Sequence, residues 1–185
     1  MSSFESLWMT EIRIKKYIKT VIDNRKTQNT MEQKTKVKAE DGKQELWIIR
    51  EFDLPVDLLF KAYEEPDLIE QWMGTEVVKL ENRKHGSYRF ETTDPKGNKH
   101  GFNGTIHDFI PNRKITRTFE MENTPFEVQL EFLDFESLTD ETSKLTMHII
   151  YKSVALRDRI LQLPFAQGIN MAHNRLQEIA GKIKR

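Results

Sequence analysis

The chain has 185 residues, 29 basic and 29 acidic side chains, and no cysteine. That length fits one domain with an appendage, the balanced charge excludes both a global basic field for nucleic acid and an acidic excess for a basic partner, and the lack of thiols excludes disulfides, thiol nucleophiles and thiolate metal sites. No stretch reaches the roughly 20 apolar residues that cross a bilayer, and the N-terminus lacks the apolar block and cleavage site of a signal peptide, so a soluble cytoplasmic protein is expected.

Residues 1–30 hold six basic side chains against three acidic ones, and Leu7, Ile14, Ile18 and Val21/Ile22 recur there at helical spacing. A basic amphipathic helix can lie on a membrane surface or dock in a partner's groove. The alternative, preferred because a compact body begins there, is that Met31 is the natural start and the leader an upstream addition. Residues 24–43 are polar with almost no apolar periodicity and read as a linker. The expected organisation is therefore a leader and linker over 1–43 and a domain over 44–185.

From Gln44 the pattern changes. Glu45–Asp53 (ELWIIREFD) is apolar and partly alternating, as a strand requires. Pro55 opens a helix whose apolar face is Val56, Leu59, Phe60 and Tyr63, with Asp53 as its cap, and Pro66 opens a second that ends at Gly74. Six strand-like runs follow: Glu76–Leu80, Ser87–Thr93, Lys99–Ile110, Lys114–Glu120, Glu127–Phe135 and Ser143–Tyr151. Turn residues separate them (His85-Gly86, Asp94-Pro95-Lys96-Gly97-Asn98, Pro111-Asn112), and such short intervals favour antiparallel hairpins. A long helix over Pro164–Lys184, with Phe165, Ile169, Leu176, Ile179 and Ile183 as its buried stripe, closes the chain. The fold class predicted is α+β, with six or seven antiparallel strands against one long helix.

Four local patterns carry a resemblance. Pro55-Val56-Asp57-Leu58-Leu59-Phe60-Lys61-Ala62-Tyr63 leads to Pro66 and Trp72; Gly86-Ser87-Tyr88-Arg89-Phe90 is a glycine-led strand; Gly104 runs to Ile110-Pro111 and then Lys114-Ile115 to Thr118-Phe119; and Arg157-Asp158 leads to Gln167-Gly168-Ile169 and Asn174-Arg175-Leu176. In this order and spacing they resemble the START-like (SRPBCC) superfamily, specifically the family named after the activator of heat-shock protein 90 ATPase, over about residues 44–183. The departures are Met73 where a second Trp is common, Ser87 where a second Gly is frequent and Phe119 where Trp is usual. Met73 and Phe119 keep bulk and apolarity, so the fold carries over, while the departures weaken any transfer of ligand preference. The resemblance implies a helix-grip fold, in which a curved antiparallel sheet wraps the C-terminal helix around an internal cavity.

Strand alternation offers a lining for such a cavity. It gives Tyr88 and Phe90; Phe102, Gly104 and Ile106; Ile115, Arg117 and Phe119; Val128, Leu130 and Phe132; and Leu145, Met147, Ile149 and Tyr151. Trp72 and Met73 are expected to close one end, and Met171 to look down from the helix. Arg117 and the Tyr88 and Tyr151 hydroxyls are the candidate polar groups, unless a bulge turns Arg117 outward. Gly104 either serves the cavity or lets the sheet bend.

Catalytic patterns are thin. The five histidines show no metal-ligand spacing, and His107-Asp108, adjacent on a strand, point to opposite faces. His148 is expected on the outer face. No nucleophile elbow, phosphate loop or dinucleotide fingerprint occurs, and no cofactor, metal or catalytic residue is assigned. The expected function is binding of an apolar or aromatic small molecule rather than catalysis. The alternatives are an enzyme like the superfamily's cyclases and aromatases, using the same cavity, and an interaction module that contacts a chaperone through an exposed face. The leader generates its own expectation. Deleting everything before Met31 leaves the melting temperature nearly unchanged in a thermal unfolding scan, and a drop of many degrees would make the leader part of the domain.

Overall fold

A computed structural model describes residues 34–94 and 96–183 of the chain. The leader of residues 1–30 lies outside the described residues. Eight strands, β1 (Lys36–Lys38), β2 (Glu45–Phe52), β3 (Glu76–Leu80), β4 (Ser87–Thr93), β5 (Lys99–Ile110), β6 (Lys114–Met121), β7 (Gln129–Ser137) and β8 (Ser143–Ile150), form one antiparallel sheet in the order β1-β2-β8-β7-β6-β5-β4-β3. Four helices accompany it: α1 (Val56–Glu64), α2 (Pro66–Met73), α3 (Val154–Gln162) and α4 (Phe165–Ile183). None of them is long and apolar enough to cross a membrane.

From β3 to β8 each strand pairs with its successor. The connections are short, too short for a crossover, so they reverse the chain; Asn112 and Asn123 take left-handed backbone in two of them, a conformation asparagine tolerates. β2 pairs with β8 and β3 lies at the far edge, so α1 and α2 carry the chain across the sheet, α1 packing on β7 and β8 and α2 on β3. Pro66 occupies the first turn of α2, and Gly74 ends that helix with φ 68° and ψ 41°.

The structure differs from the expectation in four places. Residues 36–38, read as linker, form β1, an edge strand in which exposed Lys36 and Lys38 flank half-buried Val37. A separate helix, α3, precedes the long one; the Ser153 hydroxyl accepts from the Leu156 backbone N–H at 3.2 Å, and Leu156 and Ile160 are buried four residues apart. Asp53 does not cap α1, because Pro55 itself takes the N-cap position with no side-chain bond to the helix. On β3 the pairing with β4 shifts register between Val77 and Lys79, leaving Val78 bulged and exposed.

The core is divided. The larger cluster joins β2, β7, β8, α1, α3 and α4 through residues such as Ile48, Phe52, Phe60, Leu133, Leu145 and Leu176. A smaller one unites Ile69 of α2 with Tyr88, Phe90 and Ile106 of β4 and β5. Of the expected stripe only Leu176 is fully buried, and Ile183 is exposed; the face that α4 buries runs through Asn170, His173, Leu176 and Ala180. Two of these four are polar, and both serve one buried network. The Thr35 backbone N–H donates to Asn170 Oδ1 (3.1 Å), the Thr35 hydroxyl meets His173 Nδ1 (3.1 Å), and the Tyr63 hydroxyl meets His173 Nε2 (3.4 Å). Arg50 Nη1 donates to both Thr35 Oγ1 (3.3 Å) and Asn170 Oδ1 (3.4 Å), with its guanidinium over the Phe52 ring.

His173 is 0% exposed. Burial, reinforced by the Arg50 cation, pulls its pKa from 6.5 to about 3, so the folded protein holds it neutral. An unfolded chain protonates this histidine first as the pH falls. The stability it contributes is therefore complete above pH 6.5 and is lost progressively towards pH 3. In urea unfolding measured as a function of pH, the protein should lose stability already between pH 6.5 and 4.5, ahead of the carboxylates. The slope should approach one proton, about 1.4 kcal/mol per pH unit. His173→Gln should be less stable at pH 7 and lack that slope.

Candidate functional site

Between the two core clusters lies a cavity of about 300 Å³. Members of both clusters wall it: Ile48, Trp72, Ile115, Met147 and Ile149 from the larger, Ile69, Tyr88, Phe90 and Ile106 from the smaller. Phe165, Ile169 and Ala172 of α4 form its roof. The registers explain how these side chains converge. Arg117, Glu131, Ile149 and Leu46 stand in one row across β6, β7, β8 and β2, and Ile115, Leu133, Met147 and Ile48 in the next. Alternate rows face the same side of a sheet.

A charged pair sits in the floor of this apolar chamber. Arg117 Nε donates to Glu131 Oε2 at 2.8 Å, with the two side chains 17% and 5% exposed. Gln129 Nε2 donates to the other carboxylate oxygen at 2.7 Å. Burial disfavours the Arg117 charge, but the charge and hydrogen bond of Glu131 support it, and its pKa lies above the ordinary range. Such a pair persists because each charge compensates the other; removing one alone typically costs ~3–5 kcal/mol.

Three phenols line the cavity as well, and burial pushes each well above the usual tyrosine range, so all are neutral donors. Their hydroxyls differ in what they meet. Tyr63 reaches His173, and Tyr88 donates to the Thr118 carbonyl at 2.8 Å. The Tyr151 hydroxyl is buried with no partner among the described residues. Tyr88 also lies under the Arg117 guanidinium, 5.1 Å from ring centroid to Cζ. Its position depends on Gly104, where a Cβ would come 2.8 Å from Tyr88 Cε1 and 1.9 Å from the Thr118 carbonyl oxygen. The glycine is what admits the ring.

Of the side chains expected around the cavity, the structure brings Trp72, Met73, Tyr88, Phe90, Arg117, Phe119, Met147 and Tyr151 to it. Met73, 37% exposed, stands at the mouth with Leu163. Phe102 sits beside the cavity rather than on its wall, stacked on Phe119 with centroids 5.8 Å apart. Phe132 is on the opposite face of the sheet, stacked on His148, which in turn stacks on Trp47 and contacts Glu45 at 2.6 Å. The whole of β7 has the other parity: Glu131, Leu133 and Phe135 face inward, and Val128 and Leu130 do not line the cavity. Met171 is 53% exposed, since five residues from buried Leu176 place it about 140° round the helix. Arg117 keeps its inward direction although β5 does bulge, between Ile106 and Asp108. That bulge lets both Ile106 and Phe109 point inward, Phe109 against Phe60.

Sequence reasoning missed Glu131 and Gln129, the inner polar partners of Arg117, and it missed Tyr63 and His173. The spacing of Arg117 and Glu131 on consecutive strands held a signal, since facing positions of opposite charge stabilise an antiparallel pair. Among the described residues no group of three or more His, Asp or Glu side chains is gathered as metal ligands would be.

The family described as "Activator of Hsp90 ATPase homolog 1-like protein" matches residues 53–181. Solved structures resemble the chain over most of its length. A Mycobacterium smegmatis protein superposes with TM-score 0.70 at 22% identity, covering 78% of this chain and 95% of its own. A Rhodobacter sphaeroides protein gives 0.70 at 19% identity (80% and 99%), and one from Arthrobacter aurescens gives 0.72 at 15% (80% and 91%). These likenesses show the fold. No curated protein matches the sequence. The contact at Gly104 yields a direct test: Gly104→Ala should displace Tyr88 and destabilise the protein by roughly 1–3 kcal/mol in urea unfolding, with an altered near-ultraviolet tyrosine signal.

Proposed function

The chain belongs to the activator of Hsp90 ATPase homolog 1-like family, and on that premise we propose that it binds an apolar or aromatic small molecule in the cavity between sheet and C-terminal helix. The supporting observation is the cavity's make-up, aliphatic and aromatic walls around a few convergent polar groups in about 300 Å³. That is the character of small-molecule sites and the lower end of their usual size. A core built for stability alone would fill more of this space with side chains, since protein interiors are close-packed. Met73, Met121 and Met147 on the walls supply side chains that adapt to an occupant. Phe90, buried within the smaller cluster and lining the cavity, offers a flat surface to a ring.

Solvent extraction and mass spectrometry of the purified protein should release a bound apolar compound. A thermal-shift screen of hydrophobic metabolites should then raise the melting temperature with concentration, by about 2.7 kcal/mol of stability at a hundredfold excess over Kd. Phe90→Ala should weaken binding or change which compounds are selected. No shift from any compound, and nothing extracted, would leave the cavity without this role.

A further inference from the structure

We propose that the polar floor of this cavity selects a neutral molecule bearing a hydroxyl group, over the parent hydrocarbon and over the corresponding carboxylate. The proposal rests on the cavity-binding reading and adds the chemical class of the occupant. It starts from two features that the fold leaves incomplete. The first is the Tyr151 hydroxyl, which is buried on a residue only 2% exposed, lines the cavity, and has no partner among the described residues. The other two phenols on the wall are committed, Tyr63 to His173 and Tyr88 to Thr118. Leaving a buried donor unmatched costs free energy that a ligand oxygen would recover.

The second feature is the Glu131 carboxylate. Arg117 takes one of its oxygens and Gln129 the other, yet two carboxylate oxygens hold about four acceptor sites. Acceptor capacity therefore remains beside the cavity. Glu131 pairs across the strands with Ile149, so Tyr151, two residues further on, is its diagonal neighbour on the same face, and both line the cavity.

A hydroxyl group answers both at once, accepting from Tyr151 and donating to Glu131. The charges decide against the alternatives. Arg117 and Glu131 already sum to zero at 2.8 Å. A ligand carboxylate would find the Arg117 charge already compensated by Glu131, would stand close to that carboxylate, and could not donate to it. Its desolvation would go uncompensated. A hydrocarbon would fit the walls and leave Tyr151 unmatched.

Three two-ring probes of nearly the same shape separate these outcomes: 2-naphthol, naphthalene and 2-naphthoate, titrated at pH 7 into the full chain by calorimetry. We expect 2-naphthol to bind about tenfold tighter than naphthalene and at least about tenfold tighter than 2-naphthoate. Tyr151→Phe, which removes only an unmatched hydroxyl, should reduce 2-naphthol towards the affinity of naphthalene and leave naphthalene unchanged. Equal affinity for 2-naphthol and naphthalene, a preference for 2-naphthoate, or a hydroxyl preference that survives Tyr151→Phe would each overturn the proposal while cavity binding stood. Failure of all three probes to bind would remove cavity binding itself, and the proposal with it. The ranking of the probes on the unaltered protein decides the matter even if the variant does not fold.

Discussion

The sheet and the helix it grips are joined through a buried histidine that the fold holds in its neutral form. His173 sits on the inner face of α4 with a hydroxyl at each ring nitrogen, one from Thr35 just before the first strand and one from Tyr63 on α1. Three segments far apart in sequence therefore meet at a single side chain. Hydrophobic burial alone would let α4 slide along the sheet, because apolar contact is non-directional. The hydrogen-bonded ring fixes its rotation and its height. With that register set, Phe165, Ile169 and Ala172 fall over the cavity and Leu176 and Ala180 over the main core.

A helix so fixed can fill only part of a sheet eight strands wide. Side chains of β2, β7 and β8 meet α1 and α4 directly, while β4 and β5 form their own cluster with α2. The unfilled space lies where the two clusters fail to merge. A void between apolar walls would tend to collapse, and the Arg117–Glu131 pair opposes that. Collapse would have to bury the pair more deeply or pull it apart, and both are costly. The polar floor is thus a spacer as well as a recognition surface.

How much of this could be read from the chain varies with the strand. On β8 the inward Leu145, Met147 and Ile149 alternate with Lys144, Thr146 and His148, so only one parity is credible. On β7 apolar residues occupy both parities, Leu130 and Phe132 against Leu133 and Phe135. Alternation cannot choose between them, and the inward charge at Glu131 points the wrong way until its partner on β6 is known. Phe132 stays on the outer face because His148 and Trp47 give it aromatic neighbours there. β1 was illegible for another reason: a single apolar residue, Val37, carries no period, and its strand exists through pairing with Trp47, Ile48 and Ile49. α3 did leave signals, a serine cap and two apolar residues four apart, but they are brief beside the longer stripe that follows. The order of the remaining elements was legible because turn residues punctuate most of the hairpins.

The two rims of the sheet bear on how the molecule behaves in a crowded solution. An unpaired strand is a template on which another chain can add. Among the described residues that strand is, on one side, β1, three residues long with a lysine at each end, so an arriving strand would meet two positive charges and little length to pair with. On the other side the kink at Val78 throws β3 out of line with any straight neighbour. Val78 itself is exposed at that kink, between Val77 and Lys79. Among the described residues, both borders therefore carry features that oppose the addition of a further strand.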